Sequence, residues 1–151
     1  MTTADRTRYI TVTYQSVVVF LFVRRLDLKA PLVYVAGPYT KPDPVENTHR
    51  MIKIADALLN LGVVPVVPHL TLFWHFLCPR SYEEWLSYDL HLMARCDAVL
   101  RVPGASNGAD GEVSYALAHD LPVIYARTAA VEVCVAVVRD WLQAKSVSHL
   151  V

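Results

Sequence analysis

The sequence predicts an α/β fold: a doubly wound, mainly parallel sheet with helices on both faces, of the Rossmann or flavodoxin-like kind. Two observations carry this. From Pro31 onward, short apolar runs rich in β-branched residues alternate with longer amphipathic stretches, and each run reads as a strand buried on both faces. Strands of that type separated by helix-length segments pair in parallel through right-handed crossovers. The chain has 151 residues, the size of a single domain with a layered core.

Residues 1–30 fit this pattern poorly. The apolar run Val17–Val23 is closed by Arg24 and Arg25, is far too short to span a bilayer, and is followed by no small-residue cleavage pattern. It is read as an extra strand; a start codon upstream of the true domain is the open alternative. The expected division is therefore an N-terminal extension or extra strand over 1–30 and an α/β domain over 31–151. Within the latter, strands are expected at Leu32–Gly37, Val63–Val67, Ala98–Val102 and Pro122–Ala126. Helices are expected at about Val45–Leu61, at Tyr82–Cys96 behind a Ser81/Glu84 capping box, from a cap at Asp110 to about His119, and at about Ala130–Ala144. No internal repeat, low-complexity tract or second domain is visible.

Charge and cysteine usage narrow the function classes. With 14 basic and 14 acidic side chains the net charge is zero, and there is no basic footprint of the kind that phosphate-backbone binding needs, so no nucleic acid and no membrane partner is expected. Cys78, Cys96 and Cys134 are odd in number and widely spaced, which fits a reducing, cytoplasmic setting rather than a disulfide framework. His69, His75, Cys78, His91 and Cys96 have no zinc-like spacing; no metal and no cofactor are expected.

Ligands of doubly wound sheets bind beyond the carboxyl ends of the strands. That rule selects the loops Gly37–Pro44, Pro68–Pro79 and Pro103–Gly111. The third, within P-G-A-S-N-G-A-D-G-E-V-S-Y from Pro103 to Tyr115, has glycines that let backbone approach a ligand, and it delivers Glu112 to a helix mouth. In a first turn the helix dipole favours the ionised carboxylate, suited to a nucleophile; the plain alternative is an acidic residue of the kind common in first turns. Asp89 has Trp85 and Leu86 one turn before and Leu92 and Met93 one turn after, all apolar. It is either buried with a partner or lining a cavity, and burial would raise its pKa into a range useful for proton exchange; a structural capping Asp is the alternative. Asp97, at the helix-to-strand turn, reads as structural. Two carboxylates so placed are the usual equipment for cleaving a glycosidic bond with retention, Glu112 attacking the anomeric carbon and Asp89 assisting the leaving group.

At these residues the chain resembles the nucleoside 2-deoxyribosyltransferases and the related deoxynucleoside 5'-monophosphate N-glycosidases, over about residues 32–126. Y-V-A-G-P-Y from Tyr34 to Tyr39 resembles the family's opening motif, S-Y-D-L around Asp89 its aspartate helix, and S-N-G-A-D-G-E its loop ending in the nucleophile. The resemblance implies catalytic roles for Glu112, Asp89 and Tyr34, the tyrosine hydrogen-bonding the nucleophile, and a covalent deoxyribosyl intermediate resolved by water (hydrolase) or a second base (transferase). Gly37, Tyr39, His69, Ser106, Gly108 and Asp110 are the expected substrate-binding set.

Ser106, six positions before the glutamate, matches the phosphate-binding glycosidases rather than the transferases, and a hydroxyl among glycine N–H groups suits a phosphate or simply stabilises the turn. Against phosphate, G-P-Y-T-K-P lacks the serine-isoleucine-arginine run of those glycosidases, leaving Lys41 as a substitute cation or a solvated loop residue. Asn47, Trp74 and His75 are weaker candidates. The family and the aromatic content of residues 72–85 imply a homodimer or higher homo-oligomer. The alternative from another class is a non-catalytic nucleotide-binding or sensor module, which the same fold would support.

Overall fold

The computed structural model describes residues 10–14, 17–21 and 30–148. Strands β1 (Ile10–Tyr14) and β2 (Val17–Leu21) pair antiparallel as a two-stranded sheet of their own. The run expected as a lone extra strand thus has a partner that the sequence reading overlooked, and Val23 lies outside the described residues.

The main sheet is built from β3 (Leu32–Ala36), β4 (Val64–Val66), β5 (Ala98–Arg101) and β6 (Val123–Tyr125), all parallel, in the order β4-β3-β5-β6. Alternate residues of β3 serve opposite faces, as a two-residue period requires. Val33 and Val35, with Leu100 of β5, pack under α1 (Pro44–Leu61) and α5 (Val131–Ser148) through Met51, Ile54, Leu58, Cys134 and Val138. Tyr34 and Ala36, with Val99, face α3 (Tyr82–Met93) and α4 (Asn107–Ala118) through Met93, Ala109 and Ala116. Helices therefore cover both faces, giving the doubly wound α/β architecture. Among the described residues no helix is long and apolar enough to cross a membrane.

The helix ends follow local chemistry. Asp43 caps α1, its Oδ1 accepting from the N–H groups of Val45 (2.8 Å) and Glu46 (2.9 Å), with Pro44 at the first position. Gly62 ends that helix at φ 98°, a conformation that favours glycine. Ser81 and Glu84 close the expected capping box on α3: Ser81 Oγ accepts from Glu84 N at 3.2 Å and Glu84 Oε2 from Ser81 N at 3.0 Å.

Three expectations need correction. The loop Pro68–Pro79 contains a 3-10 turn (Pro68–Thr71) and a short helix, α2 (Leu72–Leu77), because Trp74 packs edge-on against Trp85 and Tyr88 of α3 and so gives this apolar run a surface to fold on. Helix α3 stops at Met93, capped by Ala94, and the turn that follows brings Asp97 to accept from Leu32 N at 2.8 Å and Lys145 at 3.1 Å, the structural position expected for it. Helix α4 starts at Asn107, and its cap is Ser106, not Asp110; Ser106 Oγ accepts from Ala109 N at 3.2 Å.

Candidate active site

The strand order reverses between β3 and β5, which leave the sheet side by side with Ala36 opposite Arg101. Crossovers depart to opposite sides there, and ligands of doubly wound sheets bind at such a point, beyond the carboxyl ends of the strands. The two loops that follow touch: at Gly104 (φ 136°) an added Cβ would lie 2.4 Å from Pro38 Cγ, so glycine permits both the backbone conformation and the approach. Gly37 has a packing role, since a Cβ there would lie 2.6 Å from Met51 Cε.

Tyr34, fully buried on β3, donates its hydroxyl to Glu112 Oε1 at 2.6 Å. Glu112 is itself buried, in the second turn of α4 rather than the first. The expectation of a carboxylate kept ionised by the helix mouth is corrected accordingly. Burial pushes its pKa up to about 7 and the negative charge of Asp89 adds to the rise, while the Tyr34 hydrogen bond and the Arg101 charge oppose it. Burial holds the Tyr34 phenol far above its ordinary range, with the Glu112 and Asp89 charges acting in the same direction, so Tyr34 is a fixed donor.

Asp89 on α3 is pushed up to about 7 by burial, as its apolar neighbours suggest, and its Oδ1 is buried without a hydrogen-bond partner among the described residues. Its charge is felt by Tyr34, Tyr39 and Glu112, which places all four side chains in one electrostatic neighbourhood. Two carboxylates with raised pKa values, one depressing the ionisation of the other, can hold a single proton between them near neutral pH.

His69, buried just after β4, stacks edge-on with Tyr39 at 5.6 Å between centroids. Its Nε2 lies 2.9 Å from Pro38 O. A carbonyl only accepts, so Nε2 carries the proton and Nδ1 of the neutral ring is an acceptor; Nδ1 is buried and unpartnered among the described residues. Burial lowers the His69 pKa, with the Pro38 contact opposing, which favours that neutral form.

The remaining candidates divide. Asn47 is buried, and its Nδ2 donates to the carbonyls of Tyr39 and Lys41, each at 2.9 Å, so it shapes the first loop. Trp74 belongs to the aromatic cluster on α2 and α3, where His75 Nδ1 accepts from Trp85 Nε1 at 2.8 Å. Lys41 is exposed. Ser106 spends an acceptor on its cap; Gly108 lies beside it, with an added Cβ 3.9 Å from Ser106 Oγ. Asp110 is exposed and paired to Arg101 at 2.7 Å. Arg101 had no role in the sequence reading, although an arginine closing the apolar strand A-V-L-R was a visible signal. Among the described residues no three His, Cys, Asp or Glu side chains are grouped to hold a metal.

Fold and site together define a doubly wound α/β domain with a tyrosine-bound, buried glutamate at its switch point. Residues 31–126 match the family model described as a domain of unknown function (DUF7768), and the chain belongs to that family. Comparison with curated proteins gives no match. Among solved structures, the chain is similar to a 2-desoxiribosyltransferase from Leishmania mexicana, with 20% identity, 63% of each chain covered and a TM-score of 0.48. It thus spans less than two thirds of that protein's length.

Proposed function

We propose that this chain cleaves or transfers at the N-glycosidic bond of 2'-deoxynucleosides or their 5'-monophosphates, as a nucleoside 2-deoxyribosyltransferase or a related N-glycosidase. The observation that carries the reading is the 2.6 Å contact from the Tyr34 hydroxyl to Glu112 Oε1, with a second buried carboxyl, Asp89, close enough to raise the Glu112 pKa. A buried glutamate held by a tyrosine donor is, in its ionised form, an oriented anion, and an anion so placed is suited to attack an electrophilic carbon.

In this reading Tyr34 binds Oε1 and leaves Oε2 of Glu112 to attack the anomeric carbon. The glycosidic C–N bond breaks as the new C–O bond forms, and its electron pair leaves with the base. Asp89, protonated, gives its proton to the departing base. The ester on Glu112 is then opened by water or by a second base, whose proton returns to Asp89. Near pH 7 the pair holds about one proton, the state this step needs.

His69 Nδ1 accepts an N–H or O–H of the substrate, and Tyr39 stacks beside it. Gly37, Gly108, Ser106 and Asp110 complete the substrate-binding set by shaping the two touching loops. The exposed apolar side chains Phe73, Trp74, Phe76 and Tyr82 fit assembly of the chain as a homodimer or higher homo-oligomer.

The test is incubation with a panel of 2'-deoxynucleosides and their 5'-monophosphates, with and without a second free base, beside a Glu112→Ala control. Base release or exchange that disappears in the control supports the reading. Binding of a nucleotide, seen as a raised melting temperature, without turnover of any panel member would favour the sensor module instead.

A further inference from the structure

Arg101 is a charged residue in a strand whose four positions are all buried. A guanidinium there is costly unless its donors are used, and both of its terminal nitrogens donate. Nη1 donates to the carbonyl of Val102. Nη2 donates to the carbonyl of Gly104 at 2.9 Å and to Oδ1 of Asp110 at 2.7 Å. One side chain thus ties the end of β5, the loop that meets Pro38, and the first turns of α4.

We propose that Arg101 is a positioning residue for Glu112, its guanidinium acting as a clamp that sets the rotation and depth of α4 against Tyr34. The argument deepens the glycosidic reading above and rests on it for the reaction, though not for the geometry. Asp110 and Glu112 are two positions apart on one helix, hence about 200° apart around its axis. Arg101 grips the first and Tyr34 the second, so the two contacts resist rotation in opposite senses. A turn or slide of about 1 Å would spoil the line of attack, and displacements of that size cost on the order of 100-fold in rate. The charge acts in the same sense: of the groups facing Glu112, Asp89 from α3 raises its pKa, while Tyr34 from β3 and Arg101 from β5 lower it. Lysine would keep the charge and lose the planar fork that reaches several acceptors together.

The test uses the full chain with Arg101→Lys, Arg101→Met and Asp110→Asn. Two readouts need no substrate: the Glu112 titration by difference infrared spectroscopy against Glu112→Gln, and hydrogen exchange of the amides from Gly104 to Ala109. The third is turnover of whichever deoxynucleoside proves active. Arg101→Met is expected to move the Glu112 titration upward. Arg101→Lys should leave it near wild type yet lose about 100-fold in kcat with little change in KM. Asp110→Asn, which keeps an acceptor for the fork but loses the charge that draws it, should lower kcat by less than Arg101→Lys does.

Wild-type titration and wild-type kcat in both Arg101 variants would overturn the proposal. In Arg101→Met, faster loop exchange with the Glu112 titration unchanged would overturn it too, as the sign of a loop brace and nothing more. Should Arg101→Met not fold, kcat of Arg101→Lys decides: a loss of about 100-fold supports the clamp and a wild-type value overturns it. Should the wild type turn over no deoxynucleoside, the glycosidic reading falls, and the substrate-free titration and exchange still decide the clamp.

Discussion

The hydroxyl of Tyr34 and the carboxylate of Glu112, 78 positions apart in sequence, meet at 2.6 Å in the buried layer between the sheet and α4. The donor sits on β3, which is paired on both sides by β4 and β5, and the acceptor in α4, which Ser106 caps. The Glu112 side chain is thereby tied to the centre of the sheet.

Removing the donor should be felt at the acceptor. In Tyr34→Phe the Glu112 oxygen loses its partner in a buried site, at a stability cost of about 1–3 kcal/mol. The hydrogen bond holds the Glu112 pKa down, so its loss raises that pKa and shrinks the ionised fraction at neutral pH. The acid limb of the pH–rate profile should move upward, and the rate at pH 7 should fall by about tenfold or more. A pH–rate series on both proteins checks this.

Stability should also carry the mark of Glu112. Its folded pKa is raised from 4.5 to about 7, so between those values the folded state binds more protons than the unfolded one and stability falls as pH rises. The penalty is complete above pH 7 and absent below about pH 4. Glu112→Gln, which retains an acceptor for Tyr34, should therefore be more stable than wild type at pH 8 by up to about 3 kcal/mol, at about 1.4 kcal/mol per pH step, and no more stable at pH 4. Denaturant titrations at the two pH values test the sign.

Much of this arrangement was legible in the sequence. The β-branched runs and intervening amphipathic stretches identify the parallel sheet, and the strand-end rule then points to the loops that hold Tyr39, His69 and Ser106. What escaped was tertiary in origin. Glu112 was read from its helix position alone, where the dipole favours ionisation; burial against the sheet outweighs that and moves its pKa the other way. Helix α2 has six residues, too few to show a period, and is supported by Trp85 and Tyr88 from a separate helix. Ser106 caps α4, and Asp110, already inside the helix, is engaged by Arg101 instead, a contact that no local pattern announces.

Asp89 should control the other side of the profile. In Asp89→Asn the charge that raises the Glu112 pKa is gone, so the acid limb should move downward. The proton donor is gone as well, and kcat on substrates with poor leaving bases should fall by about 100-fold or more. Bases that leave without help should be affected less. Rates measured across a series of bases of graded basicity separate the two effects.

His69 should remain neutral where an exposed histidine is half charged. Its pKa lies below the ordinary 6.5, through burial, and its proton sits on Nε2 facing Pro38. At pH 6.5, nitrogen-15 chemical shifts should report a ring more neutral than an exposed histidine, with that tautomer. A ring charged as fully as an exposed one would remove Nδ1 as an acceptor, and with it the substrate contact assigned to this residue.

The proposed reaction turns on a covalent bond between Glu112 and the sugar. Mixing the protein with an active deoxynucleoside, quenching in acid during turnover and mapping peptides by mass spectrometry tests it most directly. A deoxyribosyl adduct on the peptide containing Glu112, absent from Glu112→Gln, is the predicted result. Turnover at full rate with no adduct on that peptide, or with an adduct that persists in Glu112→Gln, would contradict it.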